Sequence, residues 1–264
     1  MKKLGIILGI LFLLLVALYL FIFAPEKFEE KDIYETIQQR GKIKVGINTD
    51  SKPFGFLDEK WQIQGYDADL AKYLAQYLLK SPDAVEFYPV TPANRMLKVS
   101  TGEVDIVIAT MTITEQRNEI IEFSIPYDTA GQALLVRSDS KIKSLADLAG
   151  HNVGVVYGTT AEKNMLNLAP TSNIIGFRNY RVAYQALKAK QIDVLTSDDT
   201  ILNRFVFEDK NVKLLPKRYT KEPYGIAMKK GKSSQKLKEN IDFAIQDMQR
   251  KYVISRLHKK WLQN

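Results

Sequence analysis

The chain has 264 residues, no cysteine and a formal net charge of +8. Its length allows one or two domains with a sizeable core. The lack of cysteine excludes disulfides, thiolate metal sites and a cysteine nucleophile. The basic residues are scattered and form no basic-aromatic stripe, so we expect a solvated basic surface and no nucleic-acid partner.

The first predicted element is an uncharged apolar segment, residues 4–24, which follows two lysines. This is the length of a membrane span, whereas the core of a signal peptide runs about 7–15 residues. Bulky residues, including Phe21 and Phe23, stand where a small-residue cleavage site would be expected. We therefore predict an uncleaved anchor over residues 1–24, or alternatively a cleaved signal peptide, followed by a tether over 25–31. In both cases the remainder is exported.

From residue 32 onwards, strand and helix patterns alternate. The predicted strands, in chain order, are 43–48, a hairpin of 54–57 and 61–65, then 85–90, 104–109, 133–137, 152–156, 173–177, 192–196, 212–216 and 224–228. The helices predicted with both ends are 32–40, 94–99, 144–148, 160–168, 180–190, 200–208, 233–251 and 253–262. Two further helices are predicted, one that is capped by Asp67 and closed by Pro82, and one that begins after Thr114. The alternation restarts near Ala133, which indicates two α/β lobes with mostly parallel sheets.

Residues 104–117, VDIVIATMTITEQR, carry the strongest local signal. A buried strand leads into a run of hydroxyl residues, and Thr114 before an acidic pair is typical of a helix N-cap. Hydroxyls, backbone N–H groups and the Arg117 guanidinium thus converge at the carboxyl end of a strand, where open α/β sheets bind ligands. Arginine can hold a carboxylate with two hydrogen bonds. An ordinary strand–turn–helix with a surface arginine fits these residues equally well.

Several segments, in this order and spacing, resemble the type II extracytoplasmic solute-binding proteins of polar amino-acid transporters, solute-binding family 3. They are GINTDSKPFGFLDE followed by QGYDADLAKYLA, VTPANRMLKVSTGEVDIVIATMTITEQR, EFSIPY, SLADLAGHNVGVVYGTTAE, ALKAKQIDVLTSD and YGIAMKKG. The resemblance covers about residues 31–264 and implies an α/β periplasmic-binding-protein fold of two mixed sheets flanked by helices. Two crossover strands would join the lobes and allow hinge closure. The implied parts are lobe 1 at 31–130 and 225–264, lobe 2 at 136–220, and hinges near 131–137 and 219–224.

The resemblance also implies roles for individual residues. Arg117 would hold the α-carboxylate of the ligand, and the backbone amides of Thr112 and Thr160 would also donate to it. Thr160 begins a helix, and the dipole of that helix favours an anion at this end. Asp198 would pair with the α-ammonium group, together with the Ala109 carbonyl and the Thr112 hydroxyl. The remaining residues of the predicted site are Thr110, Tyr157 and Thr159.

The resemblance places Arg95 and Asp50 in the pocket for the ligand side chain. Together they would suit glutamine or asparagine, whereas Arg95 alone would suit glutamate or aspartate. Relatives often carry an aromatic residue just before the Pro-Phe pair, but Ser51 and Lys52 stand there in this chain. This argues against a cationic ligand stacked on aromatic faces. From the residues alone, Arg95 could lie on the surface and Asp198 could be a helix N-cap.

The implied function is capture of a polar L-amino acid between two closing lobes by an extracytoplasmic, monomeric protein. It would deliver the ligand to the permease of an ABC transporter and, indirectly, to its ATPase, and would contact the membrane through residues 4–24. The alternatives are an enzyme on the same scaffold, similar to periplasmic dehydratases, and a sensory ligand-binding domain. His151 and His258 lack metal-ligand spacing, and no nucleophile constellation is present. We therefore predict no catalytic residue, metal or cofactor.

Overall fold

The computed structural model describes residues 11–16, 18–19 and 31–263. The chain divides into two compact units, Met1–Lys31 and Asp32–Asn264. In the first unit, residues 11–16 and 18–19 are helical and exposed.

The predicted anchor over residues 4–24 and the tether over 25–31 lie mostly outside the described residues. Within the described part of the chain, no helix combines the length and the hydropathy needed to cross a membrane.

The second unit alternates strands and helices. Its strands are β1 Ile43–Asn48, β2 Asp50–Ser51, β3 Gly55–Leu57, β4 Ile63–Gln64, β5 Val85–Val90, β6 Ile106–Val107, β7 Ile121–Phe123, β8 Asp128–Ala130, β9 Gln132–Arg137, β10 Asn152–Val156, β11 Asn173–Phe177, β12 Val194–Asp198, β13 Val212–Leu214, β14 Glu222–Tyr224 and β15 Ala227–Lys229. Its α-helices are α1 Ile33–Arg40, α2 Tyr66–Leu79, α3 Arg95–Ser100, α4 Glu115–Asn118, α5 Thr160–Leu168, α6 Tyr180–Lys188, α7 Asp199–Glu208, α8 Gln235–Arg250 and α9 Val253–Trp261. Short 3₁₀ helices cover Leu145–Leu148 and Lys232–Ser234.

Two five-stranded mixed sheets define two lobes, which confirms the predicted α/β architecture. Lobe 1 has the strand order β5-β1-β6-β15-β7, and lobe 2 has the order β11-β10-β12-β9-β13. In lobe 1, β1 runs parallel to β5 and β6, while β15 is antiparallel to β6 and β7. In lobe 2, β10 is parallel to β11 and β12, while β9 is antiparallel to β12 and β13. Parallel strands bring their carboxyl ends to one edge of each sheet.

The two chain segments that connect the lobes pair with each other. Strands β8 and β14 form a separate antiparallel sheet, in which Glu222 lies opposite Ala130 and Tyr224 lies opposite Asp128. The segment Gln132–Arg137, by contrast, is paired within the sheet of lobe 2. These two short connecting strands therefore belong to neither five-stranded sheet.

Helix α2 shows how the apolar pattern and a glycine set an element's position. Leu70 and Leu74 are fully buried against the lobe 1 sheet, as their helical spacing predicts. The prediction that Asp67 caps this helix is wrong, because Gly65 is the N-cap. Gly65 has φ +124°, and a Cβ there would lie 2.0 Å from the Phe54 carbonyl oxygen. The helix therefore begins at Tyr66, and Asp67 is turned into the interior.

The predicted strand over 104–109 is also shorter than expected. Only Ile106–Val107 pair as a strand. The following carbonyl of Ala109 accepts a hydrogen bond from the Arg95 guanidinium, and Thr110 has φ +48°. A β-branched residue in the left-handed region is uncommon and marks a turn held by its surroundings. This turn sends the next residues across the edge of the lobe 1 sheet.

Candidate functional site

Helix α4 positions Arg117 at the cleft. Thr114 is its N-cap, as predicted, and the Thr114 hydroxyl accepts from the Arg117 backbone N–H at 3.2 Å. The Arg117 side chain donates to the Thr112 carbonyl of its own lobe at 2.7 Å and to the Gly158 carbonyl of lobe 2 at 3.1 Å. The guanidinium therefore lies between the lobes, and the surface-arginine interpretation does not hold.

Arg95 is a buried cation in the same region of lobe 1. It is 3% exposed and donates one hydrogen bond to the Ala109 carbonyl, while its Nε has no hydrogen-bond partner. Burial lowers the pKa of Arg95, and nearby Tyr180 and Asp198 partly oppose that shift. A surface position for Arg95 is thereby excluded, and an unpaired buried N–H indicates a site with capacity for a further acceptor.

Asp198 ends strand β12 in lobe 2. It occupies the N-cap position of helix α7, but its side chain makes no capping hydrogen bond. Its carboxylate instead accepts from the Tyr224 hydroxyl at 2.6 Å, and the residue is 6% exposed. Burial raises the pKa of Asp198 to about 7, while the Tyr224 hydrogen bond and Arg95 act in the opposite direction. The carboxylate is therefore a poorly solvated anion that a cation would stabilise.

The start of helix α5 forms another wall of the cleft. The Thr159 hydroxyl donates to the Val156 carbonyl at 2.7 Å and accepts from the Glu162 backbone N–H at 3.3 Å, so it is the helix N-cap. The Glu162 carboxylate accepts from the Gly158 N–H at 2.8 Å. The Thr159 side chain is therefore occupied by capping. What this loop offers to an anion is the first-turn backbone N–H of Thr160 and the positive end of the helix dipole.

Three other predicted site residues have different surroundings. The Ala109 carbonyl already accepts from Arg95, from the Thr110 hydroxyl at 2.8 Å and from the Asn48 amide at 3.4 Å. Tyr157 is 49% exposed, and its ring lies so close to Gly176 that a Cβ there would fall 2.1 Å from the ring. Ala109, Thr110 and Tyr157 are thus largely engaged with the protein itself.

Asp50 lies at the rim of the cleft. Its backbone carbonyl accepts from Arg204 of lobe 2 at 3.3 Å, and its carboxylate faces Arg204 and Arg181. Burial raises the pKa of Asp50, while its hydrogen bond with Ser51 and the two arginines act against that shift.

Sequence reasoning missed five buried polar residues near these groups. Asn48 is fully buried, and its side-chain oxygen has no partner. The Tyr180 hydroxyl accepts from the Ser197 hydroxyl at 3.1 Å, and the Tyr224 hydroxyl donates to the Asp198 carboxylate. Asp67 accepts from the Tyr127 hydroxyl at 3.2 Å, and burial raises its pKa to about 7. Glu222 accepts from Thr220 at 2.6 Å and lies near enough to affect the pKa of both Arg117 and Asp198. Of these five residues, only Asn48 could have been predicted from the sequence, because it ends a strand and open α/β sheets bind ligands at the carboxyl ends of their strands.

The charges at the centre of the cleft are incompletely balanced. Neither Arg95 nor Arg117 lies within 4 Å of a carboxylate in the described part of the chain. Burial and, to a lesser extent, repulsion from Arg95 lower the pKa of Arg117 to about 10, against the attraction of Asp198 and Glu222. An external carboxylate placed at Arg117 would relieve that repulsion, and an external ammonium at Asp198 would pair with the buried anion.

The described residues contain no group of three side chains suited to hold a metal ion. The two histidines make local ion pairs, His151 with Asp193 at 3.1 Å and His258 with Asp128 at 3.0 Å.

A cleft between two α/β lobes, with ionic groups of both signs contributed by both lobes, is the architecture of a two-lobed solute-binding protein. Comparison of the sequence with protein-family models agrees with this class. Residues 43–264 match the bacterial extracellular solute-binding proteins, family 3, and the chain belongs to this family.

Curated relatives extend over most of the chain. A glutamine-binding protein of an ABC transporter from Bacillus subtilis is 39% identical over 89% of this chain and 86% of its own length. A glutamine-binding protein from Geobacillus stearothermophilus is 41% identical over 74% of this chain and 76% of its own length.

Solved structures share the fold at similar identity. A cysteine-binding protein from Campylobacter jejuni superposes with a TM-score of 0.84 at 31% identity, covering 88% of this chain and 93% of that one. An ancestral arginine-binding protein bound to glutamine superposes with a TM-score of 0.78 at 36% identity, covering 85% of this chain and 99% of that one. An ancestral amino-acid-binding protein described as a precursor of cyclohexadienyl dehydratase superposes with a TM-score of 0.81 at 34% identity.

Proposed function

We propose that this protein captures L-glutamine between its lobes and delivers it to the permease of an ABC transporter. The observation that carries this proposal is a pair of opposite charges at the cleft, the half-buried Arg117 from lobe 1 and the buried Asp198 from lobe 2, neither of which has an ion-pair partner among the residues that the structure describes. A zwitterionic amino acid supplies both missing partners at once. Because the two partners come from different lobes, only the closed arrangement makes both contacts, and the ligand shifts the population towards closure.

The ligand α-carboxylate would accept from Arg117 and from the first-turn amide of Thr160, with the Thr112 amide beside them. The α-ammonium would donate to Asp198 and to the Thr112 hydroxyl. Thr112 is only 4% exposed and forms an isolated bridge with Tyr224, so its position is fixed relative to Asp198. Strands β8 and β14 would serve as the hinge, since they connect the lobes without joining either sheet.

A neutral ligand side chain fits the unpaired groups of Arg95 and Asn48 better than an anionic or cationic one. Arg95 has one free donor group, and Asn48 has one free acceptor. A carboxamide offers an acceptor for Arg95 and a donor for Asn48. A side-chain carboxylate would satisfy Arg95 but would leave the Asn48 oxygen without a donor. The names of the two curated relatives, both glutamine-binding proteins, support the same choice.

We further propose that the protein is a monomer held at the outer face of the cytoplasmic membrane by residues 4–24. The support is the uncharged length of that segment and the two lysines before it. Released and anchored forms are distinguished by fractionating cells and weighing the mature chain by mass spectrometry.

We infer that the site binds its ligand without chemical change. Asp198 has the pKa of about 7 that a general acid needs, but in the proposed complex its carboxylate pairs with the α-ammonium group of the ligand and accepts from the Tyr224 hydroxyl. Glutamine recovered unaltered after prolonged incubation supports binding alone. Release of ammonia, or of a dehydrated product from a cyclohexadienyl substrate, would favour the enzyme instead.

A thermal-shift panel of the twenty amino acids tests the function, because a ligand that binds the folded state raises Tm by mass action. We expect the largest shift with glutamine and smaller shifts with glutamate and asparagine. Calorimetry should then give a Kd of about 1 μM or tighter. A panel in which no amino acid moves Tm would overturn the proposal, and a largest shift with glutamate would overturn the choice of ligand only.

A further inference from the structure

We propose that a charged clasp at the rim of the cleft holds the lobes closed and slows release of the ligand without touching it. The rim clasp consists of Asp50 and Lys52 in lobe 1 and Arg204 and Glu208 in lobe 2. This inference rests on the proposed function, because it concerns the lifetime of the closed, ligand-bound form.

Arg204 is the best-held member of the rim clasp. Its Nε lies 3.3 Å from both carboxylate oxygens of Glu208, one turn further along helix α7. Its Nη1 donates across the cleft to the backbone carbonyl of Asp50 at 3.3 Å. The side chain is only 17% exposed, so these contacts are formed in a partly dehydrated environment. One guanidinium thus connects helix α7 of lobe 2 to strand β2 of lobe 1.

Lys52 and Glu208 make the second connection between the lobes. The Lys52 Nζ lies 3.7 Å from a Glu208 carboxylate oxygen. Arg204 restricts the Glu208 side chain from the other side, and the Lys52 ammonium also lies 5.7 Å from the centre of the Phe56 ring. Glu208 is therefore oriented by its own helix before Lys52 reaches it, which reduces the side-chain entropy lost in pairing.

The signs of the four charges are complementary across the rim. Lobe 1 presents the Asp50 carboxylate, which lies near enough to Arg204 of lobe 2 for that cation to affect its pKa, and the Lys52 ammonium, which pairs with Glu208 of lobe 2. Arg181 of lobe 2 adds a second cation facing Asp50. All these contacts join residues of different lobes, so they contribute free energy only to the closed arrangement.

The rim clasp is separate from the centre of the cleft. Its four residues line a cavity of about 290 Å³ with Arg181, Phe56 and the loop after β3, and this cavity includes none of Arg95, Arg117 and Asp198. The clasp therefore affects a ligand held at the centre through the opening of the lobes and not through contact. Its loss is expected to raise the dissociation rate and to leave the association rate nearly unchanged.

Stopped-flow kinetics of glutamine binding to the full chain tests this inference. For Lys52→Gln and Glu208→Gln we expect dissociation about two- to fivefold faster, the size of effect that partly exposed ion pairs give. Association should change less than about twofold. The charge-swapped double variant, Lys52→Glu with Glu208→Lys, should recover part of the loss. The matched control is Lys98→Gln with Glu103→Gln, an ion pair of 2.6 Å within lobe 1, which should leave both rates unchanged.

A second readout requires no ligand. Because the chain has no cysteine, spin labels can be placed at Leu97→Cys in lobe 1 and Leu166→Cys in lobe 2, both of which are exposed. The Glu208→Gln variant should show a smaller population at the short inter-lobe distance. Unchanged distance distributions and dissociation rates would overturn the clasp. Equal acceleration by the Lys98 and Glu103 control would also overturn it. If no amino acid bound the unmodified protein, the proposed function would be rejected. The distance measurement would still show whether the rim clasp favours the closed arrangement.

Discussion

Two groups of charged residues cross the cleft, and they differ in burial and in pairing. At the centre, Arg95 and Asp198 are 3% and 6% exposed, and the arginines there have no carboxylate within 4 Å in the described residues. At the rim, the side chains of Lys52 and Glu208 are 50% and 46% exposed and pair with each other. The central charges thus require an external partner, whereas the rim charges satisfy one another.

The comparison separates recognition from retention. A buried charge that loses its partner costs several kcal/mol, because it keeps its desolvation penalty without compensation. An exposed pair contributes about 1 kcal/mol or less. We therefore expect substitutions at the centre to decide whether a ligand binds, and substitutions at the rim to adjust how long it stays.

The largest expected effect is that of Arg117→Ala. It removes the guanidinium that contacts Thr112 of lobe 1 and Gly158 of lobe 2. The Kd for glutamine should rise at least about 100-fold by calorimetry, since a charge-assisted hydrogen-bond pair is lost. The exposed Arg256→Ala in helix α9 is the control and should bind normally. A Kd within about threefold of the unmodified protein would show that Arg117 does not hold the carboxylate.

Arg95→Lys should change the ranking of ligands more than it changes folding. The lysine keeps the positive charge but cannot present the planar fork of donors that now reaches the Ala109 carbonyl. We expect glutamine affinity to fall about 10-fold and the preference over glutamate to narrow. Competition titrations with glutamine, glutamate and asparagine measure this. An unchanged ranking would place Arg95 outside the side-chain pocket.

The two buried acids predict a particular pH dependence of stability. Burial raises the pKa of Asp67 and Asp198 to about 7, above the ordinary aspartate value. As pH rises from about 4 to 7, the unfolded chain releases these protons while the folded chain retains them, so the free energy of unfolding of the ligand-free protein falls. The contribution of these two acids to the free energy of unfolding is complete below about pH 4 and is lost as the pH rises through about 7.

Asp67→Asn is the variant that tests this dependence, because it keeps the shape and removes the titration. Between pH 5 and 8 the ligand-free protein should lose about 1–2 kcal/mol more than the variant does, which corresponds to about 2–4 °C in Tm per kcal/mol. The exposed Asp139→Asn should retain the full slope. Glutamine affinity should show the reverse trend and strengthen as Asp198 ionises. Parallel Tm profiles for Asp67→Asn and the unmodified protein would refute the assignment.

The smallest expected effect on affinity is that of Thr159→Ala. The Thr159 hydroxyl is occupied as the cap of helix α5, so its loss should cost about 1 kcal/mol of stability and change the Kd by less than about threefold. Asn179→Ala removes the equivalent cap of helix α6, where Asn179 accepts from Val182 at 2.9 Å, and should lower stability by a similar amount. A loss of affinity for Thr159→Ala far beyond that of Asn179→Ala would show that the hydroxyl contacts the ligand.

Local patterns in the sequence predicted the parts of the fold that depend on neighbouring residues. The strands 43–48, 85–90, 152–156 and 173–177 and the helix 160–168 are observed at their predicted bounds. The Thr114 cap before Arg117 is another feature that a few adjacent residues determine. The family resemblance then placed these elements in two lobes, which the sheet topology confirms.

The missed features depend on residues that are far apart in the chain. Asp67 is of a residue type that is common at helix N-caps. The helix begins earlier, however, because Gly65 lies against the Phe54 carbonyl, and Asp67 is therefore turned inward. Tyr224 at the end of β14 donates to Asp198 at the end of β12, and the two residues are 26 positions apart in the chain. The contact of Asp50 with Arg204 exists only when the lobes meet. No local spacing encodes such contacts.

Blocked forms of the ligand test the central pair of charges most directly. Calorimetry should compare L-glutamine with its α-carboxamide, which lacks the carboxylate, and with N-acetyl-L-glutamine, which lacks the ammonium. We predict that each blocked form binds at least about 100-fold more weakly, and that Arg117→Ala no longer distinguishes glutamine from the carboxamide. If either blocked form bound within about threefold of glutamine, a zwitterion held between Arg117 of lobe 1 and Asp198 of lobe 2 would be contradicted.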